Sequence, residues 1–245
     1  MAAFLEHEFY EPSRLDAILE EARKQSHGLF RTWLQRRLRL FFSDFDVNAW
    51  LGMYPMTYLT TEEWKRLLPD AGGRLLDVGA GSGDLTRSLA PLFSRVVCTE
   101  TSKGAARRLA RAGFETHLVD LAEREEPLGE FDAVALLHVL DRCDRPLALL
   151  DRALAHLARG GLLLVATPLP YDPIVYRGGS ARAPVEPLFA EELDEPASRA
   201  ALARLLEARG LTVKRIARVP YVCPGDAETP YYTLDSTLFV ATRRR

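Results

Sequence analysis

Leu75-Leu76-Asp77-Val78-Gly79-Ala80-Gly81-Ser82-Gly83-Asp84 runs from an apolar segment through three alternate glycines into a helical pattern. Glycines spaced this way let the backbone take positive φ angles and let a ligand approach the chain closely. An ordinary strand-to-helix turn uses glycine for the same reasons, so the residues beyond the loop carry the discrimination. The dinucleotide fingerprint G-x-G-x-x-G would need glycine at position 84, which is Asp84, so a nicotinamide cofactor is disfavoured. Asp77 precedes the loop, where a carboxylate suits a cationic ligand. Glu100 follows Asp77 by 23 residues and closes the next apolar run, where a carboxylate can accept two hydrogen bonds from ribose hydroxyls. Asp120 closes the third run, placed either to contact an adenine edge or to fix the loop there.

Outward from this loop, short apolar runs alternate with helical spacing. RLLDVGA (74–80), RVVCTE (95–100), FETHLVD (114–120), FDAVALLHV (131–139) and GLLLVATPL (161–169) read as buried strands. Residues 84–93, 102–112 and 145–159 read as helices, with Ser102 an N-cap and Gly113 and Gly160 stops. This is the grammar of an α/β protein with a mostly parallel sheet. Residues 170–195, rich in proline and carrying GGS at 178–180, read as a long surface loop. A helix at about 197–209 follows, then two β-rich stretches joined by CPGDAETP, a closing antiparallel hairpin. Before residue 70 the spacing predicts two or three helices. In the second, Phe30, Trp33, Leu34, Leu38, Phe41 and Phe42 form a stripe interleaved with Arg31, Arg36, Arg37 and Arg39. The stripe is expected to dock on the main domain; a resting place on an anionic membrane is the alternative.

Composition narrows the function classes. A net charge of −2 over 245 residues offers no basic excess for a phosphate backbone, so nucleic acid is not an expected partner. Cys98, Cys143 and Cys223 contain no C-x-x-C pair, which argues against a thiolate metal site and for a reducing compartment. No apolar run approaches the roughly 18 residues of a membrane span, and the start MAAFLEHEFYEPS has no signal-peptide pattern. A cytoplasmic protein is expected. Arginine supplies 28 of the 32 basic residues while Asn48 is the lone asparagine, a bias that points to a GC-rich, bacterial genome.

Strand, D-x-G-x-G-x-G, helix, strand ending in Glu and strand ending in Asp: over residues 74–243 this order resembles the class I S-adenosylmethionine-dependent methyltransferases. The resemblance implies a Rossmann-like α/β fold, a seven-stranded, mostly parallel sheet with an antiparallel closing hairpin, preceded by a helical segment. It divides the chain into a helical cover, 1–70, and a methyltransferase domain, 71–245. The implied cofactor is S-adenosyl-L-methionine, the product S-adenosyl-L-homocysteine. By position Gly79, Gly81 and Gly83 would lie against its methionine part and Glu100 would hold its ribose, with Asp77 and Asp120 completing the cofactor set. No metal is required.

A second string is more specific. Leu137-His138-Val139-Leu140-Asp141-Arg142-Cys143-Asp144-Arg145-Pro146 resembles the DREV family of protein-histidine methyltransferases, known as methyltransferase-like protein nine. That family methylates the pros nitrogen of histidine in His-x-His peptides. LLDVGAGSGDLT, CTE at 98–100 and RVPYVCPGDAETPYYTLDSTLFV match as well, and FFSDFDVNAWLGMYPMTYLT at 41–60 more weakly. The resemblance makes Asp141 the carboxylate that holds the target imidazole, and puts Tyr221 and Tyr232 in the pocket wall with Tyr231 beside them. His138 stands where the family usually has Asn, so the target or its flanking residue can differ. The implied partner is a histidine-containing peptide or protein; a small imidazole or phenol metabolite is the alternative.

Elementary chemistry agrees with the role given to Asp141. A free imidazole has a pKa of about 6.5 and is largely neutral at pH 7, so the harder task is selecting the nitrogen. A carboxylate accepting one ring N–H fixes the tautomer and points the other lone pair outward. Asp141, Arg142 and Asp144 could instead form a helix-capping cluster with salt bridges, and His138 and the tyrosines could be packing residues. Cys143 and Cys223 lack a base partner and read as packing residues.

Overall fold

A computed structural model describes residues 3–5, 12–124, 126–177, 180–226 and 228–244. In chain order the elements are β1 (Ala3–Leu5), α1 (Pro12–Lys24), α2 (Leu29–Leu38), α3 (Asp44–Leu51), α4 (Thr61–Leu67), β2 (Arg74–Val78), α5 (Asp84–Leu89) and β3 (Arg95–Glu100). There follow α6 (Lys103–Arg111), β4 (Glu115–Leu118), β5 (Phe131–Leu137), α7 (Pro146–Ala155), β6 (Leu157–Pro168), β7 (Val175–Arg177), β8 (Ser180–Arg182), α8 (Glu195–Ala208), β9 (Leu211–Pro224) and β10 (Tyr231–Arg243).

The seven expected strands form one sheet in the order β9-β10-β6-β5-β2-β3-β4, and β1 adds an eighth, short strand at the β9 edge. From β4 to β6 every pairing is parallel, while β10 runs antiparallel between β6 and β9. From β2 the chain proceeds to β3 and β4 on one side and later to β5 and β6 on the other. The crevice above the carboxyl ends of β2 and β5 is therefore the topological switch point, the position where ligands gather in such sheets.

Strand alternation sorts the core into two layers. Leu76 and Val78 of β2, Val134 and Leu136 of β5, and Leu163 and Val165 of β6 face Leu150 and Leu154 of α7 and Leu202 and Leu206 of α8. Leu75, Ala133, Ala135, Leu164 and Ala166 face the other way, against Leu85 and Leu89 of α5 and Trp64 and Leu67 of α4. A capping box holds α4 at its start: Thr60 accepts from the Glu63 backbone, and the Glu63 side chain accepts from the Thr60 backbone. Ser102 caps α6 as expected, accepting from Ala105 N at 3.1 Å, and Gly113 follows that helix at φ 90°.

Four expectations need correction. Among the described residues the segment before residue 70 holds four helices, since α3 and α4 are separate short elements. Gly160 does not end a helix: α7 stops at Ala155 with His156 as its cap, and Gly160 lies inside β6 near an irregularity in the β5 pairing. The 170–195 segment is not only a surface loop. It carries the small β7–β8 hairpin and buries Val175 and Leu188, while Gly178 and Gly179 of the GGS motif lie outside the described residues. Finally, the aromatic stripe docks only in part: Leu34 and Leu38 are half-buried and Phe42 packs on Trp50, but its large rings stay outside. Phe30, Trp33 and Phe41 are 71%, 53% and 80% exposed, and the side of α2 turned inward carries the small or polar Thr32 and Gln35.

Candidate active site

The glycine loop bridges β2 and α5 with Gly79, Gly81 and Gly83 at φ 67°, 58° and 80°. Gly79 N and Ala80 N both donate to Thr99 O, at 2.9 and 3.1 Å, which fastens the loop to β3. A Cβ at Gly79 would lie 2.6 Å from Val139 Cγ2, so the segment after β5 can press against the loop because no side chain stands there. A Cβ at Gly81 would meet nothing within 4 Å, so this middle glycine borders open space. Asp77 stands behind the loop. Its buried carboxylate accepts from Thr86 Oγ1 at 2.7 Å, tying β2 to α5, and burial pushes its carboxyl up to about 6.

At the end of β3, Glu100 organises two loops. Its Oε2 accepts from Gly81 N at 2.8 Å, and its Oε1 from Thr101 N and Ser102 N at 2.8 and 2.9 Å. With two lone-pair sites per oxygen, Oε1 is filled and one site on Oε2 is left for a ribose hydroxyl. Asp46 of α3 reaches the same corner, its Oδ1 accepting from Ser102 Oγ and Gly104 N, both at 2.7 Å. Asp120 fixes its own turn by accepting from Ala122 N at 2.9 Å.

The other side of the crevice follows β5. His138 takes the left-handed conformation, φ 57°, and its N donates to Ala166 O at 2.8 Å. That turn swings the chain off the strand and aims the ring between Tyr58 and Tyr221, with centroids 5.3 and 4.7 Å away. Ser236 Oγ lies 3.4 Å from His138 Nε2 and 3.2 Å from Tyr58 OH, and the Tyr221 hydroxyl meets Met56 Sδ. Burial, assisted by Arg142, pushes the His138 imidazole down to about 3, so the ring is neutral at pH 7.

Asp141 is 1% exposed. Its Oδ2 lies 3.4 Å from Arg142 Nη2, whereas its Oδ1 has no hydrogen-bond partner among the described residues. Burial pushes this carboxyl above the usual range, with Arg142 opposing. Of the alternative, a helix-capping cluster with salt bridges, the ion pairs of Asp141 and Asp144 are present but the capping is not. Glu186 Oε2 accepts from Leu147 N and Ala148 N at 2.9 and 3.1 Å and so caps α7, while Asp144 holds Arg182 through bonds of 2.7 and 2.9 Å. The 170–195 segment roofs this corner: Tyr171 OH donates to Leu140 O at 2.8 Å and Ile174 N to Asp141 O at 3.0 Å. A buried acid with an idle oxygen is a costly arrangement in a native fold and calls for a partner.

The closing hairpin separates the three tyrosines. Tyr221 reaches His138, but Tyr232 sits nearer the tip, where its hydroxyl donates to Asp226 Oδ2 at 3.0 Å and its ring packs edge-on against Tyr54. Tyr231 lies under the Arg23 guanidinium, 5.8 Å from its ring centroid. Burial pushes the thiols of Cys143 and Cys223 up to about 12 and about 11, which keeps them protonated and unreactive. Sequence reasoning did not name Tyr58, Met56 or Ser236. The first two fall in the weakly matching 41–60 segment and the third in the closing hairpin, so the signal was there without a residue attached to it.

With its switch-point crevice and antiparallel β10, the molecule has the class I methyltransferase fold. Two solved structures share it at low identity. The N-methyltransferase NodS of Bradyrhizobium japonicum WM9, in complex with S-adenosyl-L-homocysteine, superposes with a TM-score of 0.50 at 16% identity, covering 76% of this chain and 86% of its own. The DhpI–SAH complex gives 0.52 at 18% identity, over 96% of this chain and 99% of that one. The family model for DREV methyltransferases matches residues 12–243, and the chain belongs to that family. Curated relatives match a shorter stretch. The ubiquinone biosynthesis O-methyltransferase of Xylella fastidiosa (strain 9a5c) is 34% identical over 41% of this chain and 44% of its own length. The ribosomal protein L11 methyltransferase of Prochlorococcus marinus (strain MIT 9312) is 30% identical over 38% of this chain and 30% of its own. The chain thus spans less than half the length of these relatives.

Proposed function

We propose that this chain binds S-adenosyl-L-methionine at the glycine loop and methylates a histidine imidazole of a peptide or protein, at the pros nitrogen and in a His-x-His context. When bound, that cofactor supplies an electrophilic methyl group on a sulfonium, and no metal is needed. Gly79, Gly81 and Gly83 would hold its methionine part, Glu100 its ribose and Asp120 the adenine side, with Asp77 bracing the loop from behind. The side chains suit this: Gly81 borders open space and Glu100 retains one lone-pair site.

The observation that carries the histidine reading is the idle Oδ1 of buried Asp141. A target imidazole donating its ring N–H to that oxygen gains a fixed tautomer, and its other nitrogen is aimed toward the loop that Val139 touches two residues earlier. As that nitrogen is alkylated, the proton on the far nitrogen passes to Asp141, whose raised affinity for protons suits the task. Positioning supplies much of the rate in such a displacement. His138 and Tyr221 wall the slot, and Tyr232 with Asp226 and Tyr54 borders the peptide's path.

The division into a helical cover, 1–70, and a catalytic sheet, 71–245, belongs to this reading, as does a cytoplasmic, bacterial setting. Incubation with His-x-His peptides and isotopically labelled cofactor, followed by mass spectrometry, tests the assignment. Label on the pros nitrogen is expected; label on lysine, or on no peptide, rejects it. The similarity to O-methyltransferases favours a second reading, a small imidazole or phenol metabolite as acceptor. Turnover of free imidazole or catechol without peptide turnover would select it.

A further inference from the structure

The segment from Leu29 to Phe42 takes no part in this chemistry, yet it is the least ordinary surface of the molecule. The outward face of α2 reads Leu29, Phe30, Trp33, Arg36 and Arg37, so two apolar turns are followed by a cationic one. The chain leaves this helix through the exposed Leu40 and Phe41, and Phe42 meets Trp50 of α3 edge-on at 4.9 Å. Between Glu21 and Asp44 stand Arg23, Lys24, Arg31, Arg36, Arg37 and Arg39 with no acid among them, in a chain whose net charge is −2. Beside Trp50 a cleft of about 360 Å³ opens between α3 and α6, lined by Arg107, Arg108 and Arg111.

Two independent features, bare aromatic and aliphatic side chains and a concentrated positive charge, thus share one surface. We propose that the α2–α3 surface, continued by the arginine cleft at Trp50, docks this chain on an anionic lipid bilayer. Phe, Trp and Leu gain by entering the boundary between headgroups and acyl chains, and guanidinium groups pair with lipid phosphates in bidentate fashion. Trp33 and Trp50 suit the interfacial depth where aromatic rings collect. A second copy of the chain is a poorer occupant, because a two-fold contact would set the α2 arginines of one copy, Arg31, Arg36 and Arg37, against those of the other. A nucleic acid would engage the arginines and rings but leave Leu29 and Leu40 without a role. Among the described residues no helix is long and apolar enough to cross a membrane, so the contact is peripheral. Arg36 also pairs with Glu228 in the turn that holds Asp226, so the docked surface adjoins the hairpin tip with Tyr54 and Tyr232.

The test is sedimentation of the full chain with vesicles of phosphatidylcholine alone and of equal parts phosphatidylcholine and phosphatidylglycerol. Pelleting with the mixed vesicles only, weakened by salt, is expected. Lipids brominated in their acyl chains should quench Trp33 and Trp50 and leave the fully buried Trp64 bright. Phe30→Ser with Trp33→Ser should abolish pelleting at an unchanged melting temperature, since both side chains are exposed. Arg107→Glu with Arg111→Glu should lower partitioning by at least about tenfold. No pelleting, equal pelleting with neutral vesicles, tighter binding to a single-stranded oligonucleotide, or a dimer that the Phe30/Trp33 variant dissociates would each overturn the proposal.

Discussion

The two walls of the crevice hold their acids differently. On the β2–β4 side each carboxylate accepts from the protein's own donors: Glu100 from three backbone N–H groups, Asp120 from its own turn and Asp77 from Thr86. On the β5–β10 side Asp141 is more deeply buried than Glu100 and still has an unused oxygen, next to a histidine forced into the left-handed region. One wall is largely built by the protein's own donors, with one Glu100 site left open, and the other keeps a buried oxygen for a ligand to complete. This is the division expected where a constant cofactor meets a selected substrate, since preorganised donors serve the first and a poised group the second.

The sharpest way to break that contrast is to remove one acid from each wall. Glu100→Ala orphans the N–H groups of Gly81, Thr101 and Ser102 and should weaken S-adenosylmethionine binding by at least about 100-fold in calorimetry. Asp141→Ala should leave that affinity within about threefold and lower turnover by about 10²-fold or more. Equal losses of cofactor affinity in the two variants would erase the distinction.

Asp77 sharpens the comparison through pH. Its carboxyl titrates at about 6 in the folded chain against an ordinary 3.8, so between these values the native state binds the extra proton. Stability contributed by this group is therefore present at low pH and falls as pH rises from about 4 to about 6, by on the order of 2–3 kcal/mol. Asp77→Asn carries no such charge. Its stability relative to the wild type, from urea unfolding, should improve by about that amount between pH 4 and pH 7. A difference independent of pH would mean that the loop's brace is not strained by charge.

The smallest effect concerns His138. Asn tolerates positive φ and Ala resists it, so His138→Ala should be about 1 kcal/mol less stable than His138→Asn in the same unfolding assay. Indistinguishable variants would show that the turn relaxes and that the β5 wall is less constrained than its geometry indicates.

Legibility followed sequence distance. Strand, loop and helix around Gly79–Gly83, the cap at Ser102 and the stop at Gly113 were readable because each depends on neighbours a few residues away. The seven strands were readable from their β-forming runs, although the expectation of burial fails for β4, an edge strand whose Leu118 is 51% exposed. Tyr58 against His138, and Ser236 between them, were not, since 80 and 98 residues separate His138 from these partners. The stripe on α2 was misread for a related reason: periodicity reports that a helix has an apolar face and is silent on what covers it. Gly160 misled because glycine serves strand irregularities as readily as helix ends.

By itself the sequence determined the α/β order, the glycine loop with Glu100 behind it, and the acid after the fourth of the parallel strands. These are local patterns, set by side-chain period and by which backbone angles a residue tolerates. Only the tertiary structure decided that Asp141 keeps an oxygen unpartnered among the described residues, that Val139 presses on the glycine loop through the space Gly79 leaves, and that Leu29, Phe30, Trp33, Leu40 and Phe41 face outward. Burial and hydrogen-bond satisfaction are properties of packed neighbours, and those neighbours are chosen by the sheet order, not by adjacency in the chain.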